Sequence, residues 1–571
     1  MNKLAAAARG DYPADLVIHN AKIANVFSHS YEFSDVAVYG GVIAGIGEGY
    51  TGRVNYDAGG RVLIPSLIDG HIHIEDTMLT PPNFAEIAAL HGTGTVFADP
   101  HEIANALGMS GLHWMSKASQ NLPIDIFYGA PSCVPASDFE TPYRELGIVE
   151  TAGMFQQGLA QHLGEMMNFP AVIAGDAEAW GKILLAKGKP LTGHAPGVSG
   201  KSLNAYLASG INSDHECTDI NEAREKLSRG MWLMMREGST FTDLRKLLQV
   251  VRDNPLNACR CMAVSDDLTV KYLLDTGHMD VKIRIMLDEG IDPFTALRMV
   301  TLTPAEYFRI NAGAIAPGRL ANFALLDKDI IDETFTVSEV WKDGRLVVKD
   351  GEVYGEQPDE LAVPLVRSKV THIPKPEDLR VKAAGENMRV IGLVGGSAIT
   401  EERILSARVL DGYAVPDTDR DIAKIVCLER HHDTGNFGVG FMQGLGIKRG
   451  AIASSVAHDA HNFIAAGADD VSLSLALQAL AKTGGGLVVV DGEEVLAELP
   501  LPIGGLMSSA SPVQVYNSLE LVEQAAKSLG VMAAHPFMAL SFLGLTVIPA
   551  LRITDRGLFS VSLWQNVPVF A

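Results

Sequence analysis

Ile64-Pro65-Ser66-Leu67-Ile68-Asp69-Gly70-His71-Ile72-His73-Ile74-Glu75 decides the reading of this chain. The apolar run Val62-Leu63-Ile64 and the alternation that follows it predict a buried strand. Side chains two apart on a strand share a face, so His71 and His73 point one way while Ile72 and Ile74 point into packing. Two imidazoles on one face at the end of an inner strand can grip one metal ion. Taken alone, a His-x-His is as often a hydrogen-bonded pair in a loop. Whether the rest of the chain offers further ligands at strand intervals decides between the two.

Outward from that strand, residues 63 to about 310 repeat strand then helix. Thr95 to Asp99, Ile124 to Gly129, Leu191 to His194, Ile211 to His215 and Cys261 to Asp266 read as strands, with amphipathic stretches such as Pro82 to Leu90 and Lys201 to Gly210 between them. Roughly 250 residues in this rhythm fit a (β/α)8 barrel, and no glycine-rich phosphate loop follows the first strand as a doubly wound sheet would require. Polar residues fall at the strand ends, which in such barrels form the active-site face. His71, His73, Asp99, His194, His215 and Asp266 would gather there. Singly, His194 could stabilise a turn, His215 could cap a helix, and Asp266 could be an N-cap. As a set they suit divalent transition metals, and all falling at strand ends by chance is improbable.

The 571 residues exceed one ordinary core, and 47% hydrophobic residues can fill two or three domains. No run of about 18 apolar residues and no long apolar N-terminal core is present, so a cytoplasmic protein is expected. Five cysteines, odd in number and unpaired in spacing, argue against a disulfide framework; Cys259 and Cys261 read as ordinary interior residues. A formal charge of −22 repels phosphate backbones and anionic lipid, so neither nucleic acid nor membrane is an expected partner.

Residues 1–62 and 311–365 are β-rich and flank the barrel, which predicts one small β domain, a sandwich, assembled from both sides of it. Tyr39-Gly40-Gly41-Val42 carries a hairpin signal. A charged, proline-containing stretch, 366–388, reads as a linker to an α/β domain over 389–571. In that last domain Glu429-Arg430-His431-His432-Asp433 and His458-Asp459-Ala460-His461 could be read as another metal site. Histidines near turns are more often hydrogen-bonded structure, and the expected role of the domain is to cover the barrel mouth or to make subunit contacts.

Pro65-Ser66-Leu67-Ile68-Asp69-Gly70-His71-Ile72-His73 resembles the first-strand signature of the amidohydrolase superfamily, and the whole chain is similar to its adenine deaminase family. The matching motifs are Asp99-Pro100-His101-Glu102, Gly164-Glu165-Met166-Met167-Asn168, Gly193-His194-Ala195-Pro196-Gly197 and Ser213-Asp214-His215-Glu216, continuing into Ser454 to Asn462 and Pro536 to Leu543. The resemblance implies a metal-dependent hydrolase barrel with a characteristic C-terminal domain, acting on a small-molecule purine base. It implies two divalent ions, manganese or iron, with zinc also compatible. His71 and His73 would hold the first, His194 and His215 the second, Glu165 would bridge, and Asp266 would complete the first site. Spacing alone does not select Glu165 over His162; the family pattern does. A homodimer is expected.

The implied chemistry is attack of activated hydroxide on C6 of adenine, giving hypoxanthine and ammonia in purine salvage. Asp266 would take the proton of the water. An acid must also protonate the neighbouring ring nitrogen. Glu165 is one candidate, and His101 and Glu102 are favoured as substrate-side residues, although Asp99 and Glu102 could equally serve as cap and first-turn charge of a helix. Two departures from the family pattern adjoin the ligands: Glu75-Asp76-Thr77 stands in place of Glu-Ser-Ser, and Asp267 is followed by Leu268-Thr269-Val270. They leave open an N6-substituted adenine or another aminopurine as substrate. A non-catalytic scaffold is the alternative of another class.

Overall fold

The computed structural model describes residues 2–355, 370–395 and 399–571. Eight parallel strands form the central layer: β1 (Leu67–His73), β2 (Thr93–Ala98), β3 (Asp125–Ala130), β4 (His162–Met166), β5 (Leu191–Gly193), β6 (Ser213–Asp214), β7 (Trp232–Arg236) and β8 (Cys261–Val264). β1 to β5 pair in sequence order, as do β6 to β8. The two runs meet at two seams. Directly after β8, Asp266 and Asp267 pair with Ile72 and His73 at the end of β1. Between β5 and β6, Tyr307 Oη lies 2.9 Å from the Leu191 carbonyl and 2.8 Å from Ser213 Oγ. A Cβ on Gly193 would come within 2.2 Å of the Ser213 carbonyl oxygen, so this approach requires glycine. The arrangement fits the expected (β/α)8 barrel.

Buried ion pairs lock the loops above the strands. Lys226 is fully buried, and its ammonium donates to Asp214 Oδ2 at 2.9 Å, Glu222 Oε1 at 2.6 Å and the Ala195 carbonyl at 2.7 Å. Asp214 Oδ1 in turn accepts from the Ala195 amide at 2.7 Å, tying the residue after His194 to the one before His215. Burial opposes charge on Asp214, but the Lys226 ammonium holds its carboxyl well below the usual carboxylate range. Lys226→Ala should therefore cost about 3–5 kcal/mol, because it strands a buried carboxylate. A denaturant midpoint equal to that of the parent chain would contradict this.

Both flanks of the barrel contribute to one nine-stranded sheet, with Phe323–Leu325 pairing antiparallel to Leu63–Pro65. Its own apolar core draws Leu16, Ile23, Val38 and Leu63 from one flank and Phe323 and Trp341 from the other. Gly40 and Gly41, with φ of 61° and 76°, make the hairpin turn between Ser30–Tyr39 and Val42–Ile46.

Of the stretch read as a linker, 366–369 lie outside the described residues, and Val381–Lys382 already pairs with Tyr413 and Ala414. Beyond it an eight-stranded, mostly antiparallel sheet packs against the helix Asp470–Thr483. Asp469 caps that helix by accepting from Ser472 N, and Gly484 ends it at φ 83°. This region docks on the barrel through specific polar contacts: Ser508 N donates to the Met78 carbonyl at 2.9 Å, and Glu140 accepts from Ala460 N at 3.3 Å and Thr546 Oγ1 at 3.0 Å. Cys261 is buried in β8, whereas Cys259, in the short turn before it, is exposed.

Candidate metal centre and active site

Glu165 near the end of β4 sits among the four histidines, with one oxygen for each pair. Its Oε1 lies 3.6 Å from His71 Nε2 and 3.3 Å from His73 Nε2. Its Oε2 lies 2.8 Å from His194 Nδ1 and 3.2 Å from His215 Nε2. Asp266 Oδ1 completes the first group, 3.5 Å from His71 Nε2 and 3.2 Å from His73 Nε2. All six side chains are buried.

These residues fit divalent ions. Ligands about 2.1 Å from a tetrahedral ion stand about 3.4 Å from one another, and the separations of 3.2 to 3.6 Å between His71, His73, Glu165 and Asp266 match that better than hydrogen bonds. His73 Nδ1 is 3.0 Å from the Asp99 carbonyl, to which it donates, so Nε2 presents its lone pair to the centre. Buried His71 Nε2 has no hydrogen-bond partner among the described residues. Burial, together with the neighbouring His215, lowers the pKa of His71 and favours the neutral ring that a ligand presents, while, against burial, the Glu165 and Asp266 carboxylates raise those of His73 and His215.

The backbone sets these positions. Asp69 Oδ1 accepts from Ser265 N at 3.1 Å and its Oδ2 pairs with His278 Nε2 at 3.0 Å, which ties β1 to the end of β8. Asp266 then adopts a left-handed φ of 62°, a conformation that costs a non-glycine residue roughly 1–3 kcal/mol and recurs at functional sites. It does not cap the following helix, whose N-cap is Thr269. Nor does Asp99 cap the helix His101–Ala118; its Oδ2 accepts from Glu165 N at 2.6 Å and fixes the bridging residue's backbone. His162 packs edge-on against Phe97 and Phe308 instead of joining the centre.

Three residues that the sequence did not single out border the centre. Arg236, buried at the end of β7, donates to Glu216 Oε1 at 2.7 Å, Asp266 Oδ2 at 3.3 Å and Asp243 Oδ2 at 3.1 Å. Its guanidinium therefore holds the oxygen of Asp266 that faces away from the histidines. Glu216 follows His215 within a motif that the sequence already offered; Arg236 ends a strand the sequence reading had not picked out, and Asp243 carried no local signal.

On the opposite side, His101 Nδ1 lies 3.3 Å from Asp99 Oδ1 and 3.7 Å from Glu165 Oε1, while its Nε2 lies 3.7 Å from Asp459 Oδ1. Burial works against a charged imidazole there, but Asp459 and Asp99 raise its pKa well above the usual value. Glu102 is fully buried beside His458 Nδ1 at 3.3 Å and His461 Nε2 at 3.9 Å. Burial, reinforced by Glu75, pushes its carboxyl well above the usual range. His461 Nδ1 accepts from Ala457 N at 3.1 Å, so its Nε2 carries the proton, 3.9 Å from Glu102 and beyond hydrogen-bond reach. Glu102, His458 and His461 are a buried group whose facing atoms make no hydrogen bonds to one another among the described residues and could hold a cation, so the second-metal reading of the C-terminal histidines stays open. Asp76, one of the departures from the family pattern, lies 3.7 Å from His458 Nε2.

A narrow cavity above the centre is lined by the barrel residues and by His458, Asp459, Phe542, Leu545 and Ile548 of the C-terminal region. Barrel and C-terminal region together therefore enclose the site.

Comparison with known proteins bears on both regions. The model of the amidohydrolase family matches residues 62–353, and that of the adenine deaminase C-terminal domain matches residues 397–565. An adenine deaminase of Desulfatibacillum aliphaticivorans is 43% identical over 100% of this chain and 99% of its own. Adenine deaminase 2 of Carboxydothermus hydrogenoformans is 44% identical over 99% of each chain. An adenine deaminase of Methanoregula boonei is 43% identical over 99% of this chain and 98% of its own.

Proposed function

Because this chain belongs to the adenine deaminase family of amidohydrolases, we propose that it hydrolyses adenine to hypoxanthine and ammonia at the centre built on Glu165. The observation that carries the reading is the division of the Glu165 carboxylate, one oxygen toward His71 and His73 and the other toward His194 and His215. The family implies a divalent metal. Two ions are proposed, the first held by His71, His73 and Asp266, the second by His194 and His215, with Glu165 shared. Imidazole and carboxylate donors suit manganese or iron, and zinc as well. When bound, such ions make hydroxide available near neutral pH for addition at C6.

The remaining work belongs to the chain. Asp266, with Oδ2 held by Arg236, keeps Oδ1 beside the histidines, where it takes the proton of the water and returns it to the leaving amine. Glu102, kept protonated by burial, is the proposed donor to the ring nitrogen beside C6, with His101 next to it on the substrate side. As the C–N bond breaks and ammonia leaves, the proton of the C6 hydroxyl restores Glu102 and the carbonyl forms. The C-terminal residues over the cavity exclude bulk water. The proposed divisions are 1–62 with 311–365, 63–310, 366–388 and 389–571. A cytoplasmic homodimer acting in purine salvage completes the proposal, and five unpaired cysteines accord with a reducing compartment.

The test is turnover of adenine against N6-methyladenine on manganese-reconstituted protein, followed by ultraviolet absorbance and released amine. Ammonia release from adenine with kcat/KM above about 10⁴ M⁻¹s⁻¹ is expected. A preference for the methylated base would keep the centre and move the substrate. Silence on both would overturn the reading.

A further inference from the structure

Asp459 is 2% exposed and lines the cavity above the centre, yet its Oδ2 has no hydrogen-bond partner among the described residues. An acceptor left unpaired in a buried position costs the free energy of its desolvation, so a site of this kind is complementary to a donor that arrives with a ligand. The rest of the roof is apolar: Phe542, Leu545 and Ile548 present hydrocarbon and an aromatic ring, and Phe542 stacks on His458 with centroids 4.9 Å apart. Other carboxylates line the cavity from the barrel side, and the flat apolar roof with the Asp459 acceptor in it suits a planar heteroaromatic molecule carrying a ring N–H.

The position of Asp459 says which ring N–H. His101 stands between the two carboxylates, with Nδ1 3.7 Å from Glu165 Oε1 and Nε2 3.7 Å from Asp459 Oδ1. Asp459 is therefore one imidazole away from the bridging residue, on the side opposite the histidines. A purine bound with its C6 amine at the histidines and its five-membered ring toward the C-terminal roof would bring its imidazole edge to this carboxylate. In a free purine base that ring carries an N–H. In a nucleoside the same edge carries a sugar carbon and has no hydrogen to give.

We propose that Asp459 is a specificity residue that accepts a hydrogen bond from the imidazole-ring N–H of the free purine base and thereby rejects the nucleoside. The assignment rests on the proposed deamination of adenine and goes beyond it, because it gives the C-terminal region a direct part in substrate choice.

The experiment compares kcat/KM for adenine and 9-methyladenine, which keeps the amine and the pyrimidine ring but lacks the N–H, in the full-length parent chain, Asp459→Ala and Asp459→Asn. Metal content is measured on each. The parent chain should prefer adenine by about 10²-fold or more, since a site built to bond a donor discriminates strongly against the analogue lacking it. Asp459→Ala should lower adenine kcat/KM mainly through KM, lower 9-methyladenine kcat/KM by clearly less, and collapse the ratio, with two ions retained. Asp459→Asn, which keeps shape and one acceptor oxygen, should fall between and carries the test if the alanine variant does not fold. Equal losses on both substrates would mean a structural role and overturn the assignment, as would a parent chain that accepts 9-methyladenine as well as adenine. A parent chain inert toward adenine would instead overturn the reaction itself.

Discussion

Glutamine in place of Glu165 is expected to leave about one ion or fewer per chain and to lower kcat/KM for adenine by at least about 10⁴-fold, roughly 5 kcal/mol of transition-state stabilisation. Glu165 offers Oε1 to His71 and His73 and Oε2 to His194 and His215, at 2.8 to 3.6 Å. A glutamine has the same shape but only one oxygen that can face a cation; its amide nitrogen would present hydrogens to the other position. One pair of histidines would then be left without its shared carboxylate. The backbone should hold, because Asp99 anchors Glu165 through its amide and not its side chain. Elemental analysis, circular dichroism and steady-state kinetics on the same preparation test this. Two ions with turnover within tenfold of the parent chain would remove Glu165 from the bridging position.

The second large effect is expected at Asp266. Asparagine there should reduce kcat by about 10²- to 10⁴-fold, the usual range for losing a positioned general base. KM for adenine and the two-ion content should stay near those of the parent. The amide oxygen can still face His71 and His73, but it cannot take up a proton. The Arg236 guanidinium, 3.3 Å from Asp266 Oδ2 in the parent chain, would also lose an anionic partner. A kcat within tenfold of the parent, with both ions bound, would show that another group accepts the proton. Loss of metal along with kcat would place the role of Asp266 in ligation alone.

The alternation around His71 and His73 was legible because a strand repeats every two residues and this strand lies inside the barrel, where the repeat has to be respected. Five further strands between Thr93 and Val264 were legible for the same reason, although β5 and β6 are shorter than the runs that announced them; β4 and β7, which carry Glu165 and Arg236, were not read as strands. His194 and His215 stood out as imidazoles at strand ends. Glu165 was different: Gly164-Glu165-Met166 has no local signature of a ligand, and only resemblance picked it out over His162. In the fold the two part because His162 turns toward Phe97 and Phe308 while Glu165 turns toward the histidines.

What the sequence by itself determined is therefore the set of elements and the chemical character of their ends: buried strands in a parallel rhythm, β-rich flanks, and imidazoles and carboxylates where strands stop. These follow from local periodicity and local side-chain chemistry, which neighbours along the chain encode. Barrel logic and resemblance could name the strand ends that gather; tertiary structure alone decided which further groups hold them. Arg236 meets Asp266 across 30 residues, His278 meets Asp69 across 209, and Asp459 meets His101 across more than 350. Such contacts depend on barrel closure and on docking of the C-terminal region, both driven by burying apolar surface cooperatively over the whole molecule, and no short stretch of sequence carries that information.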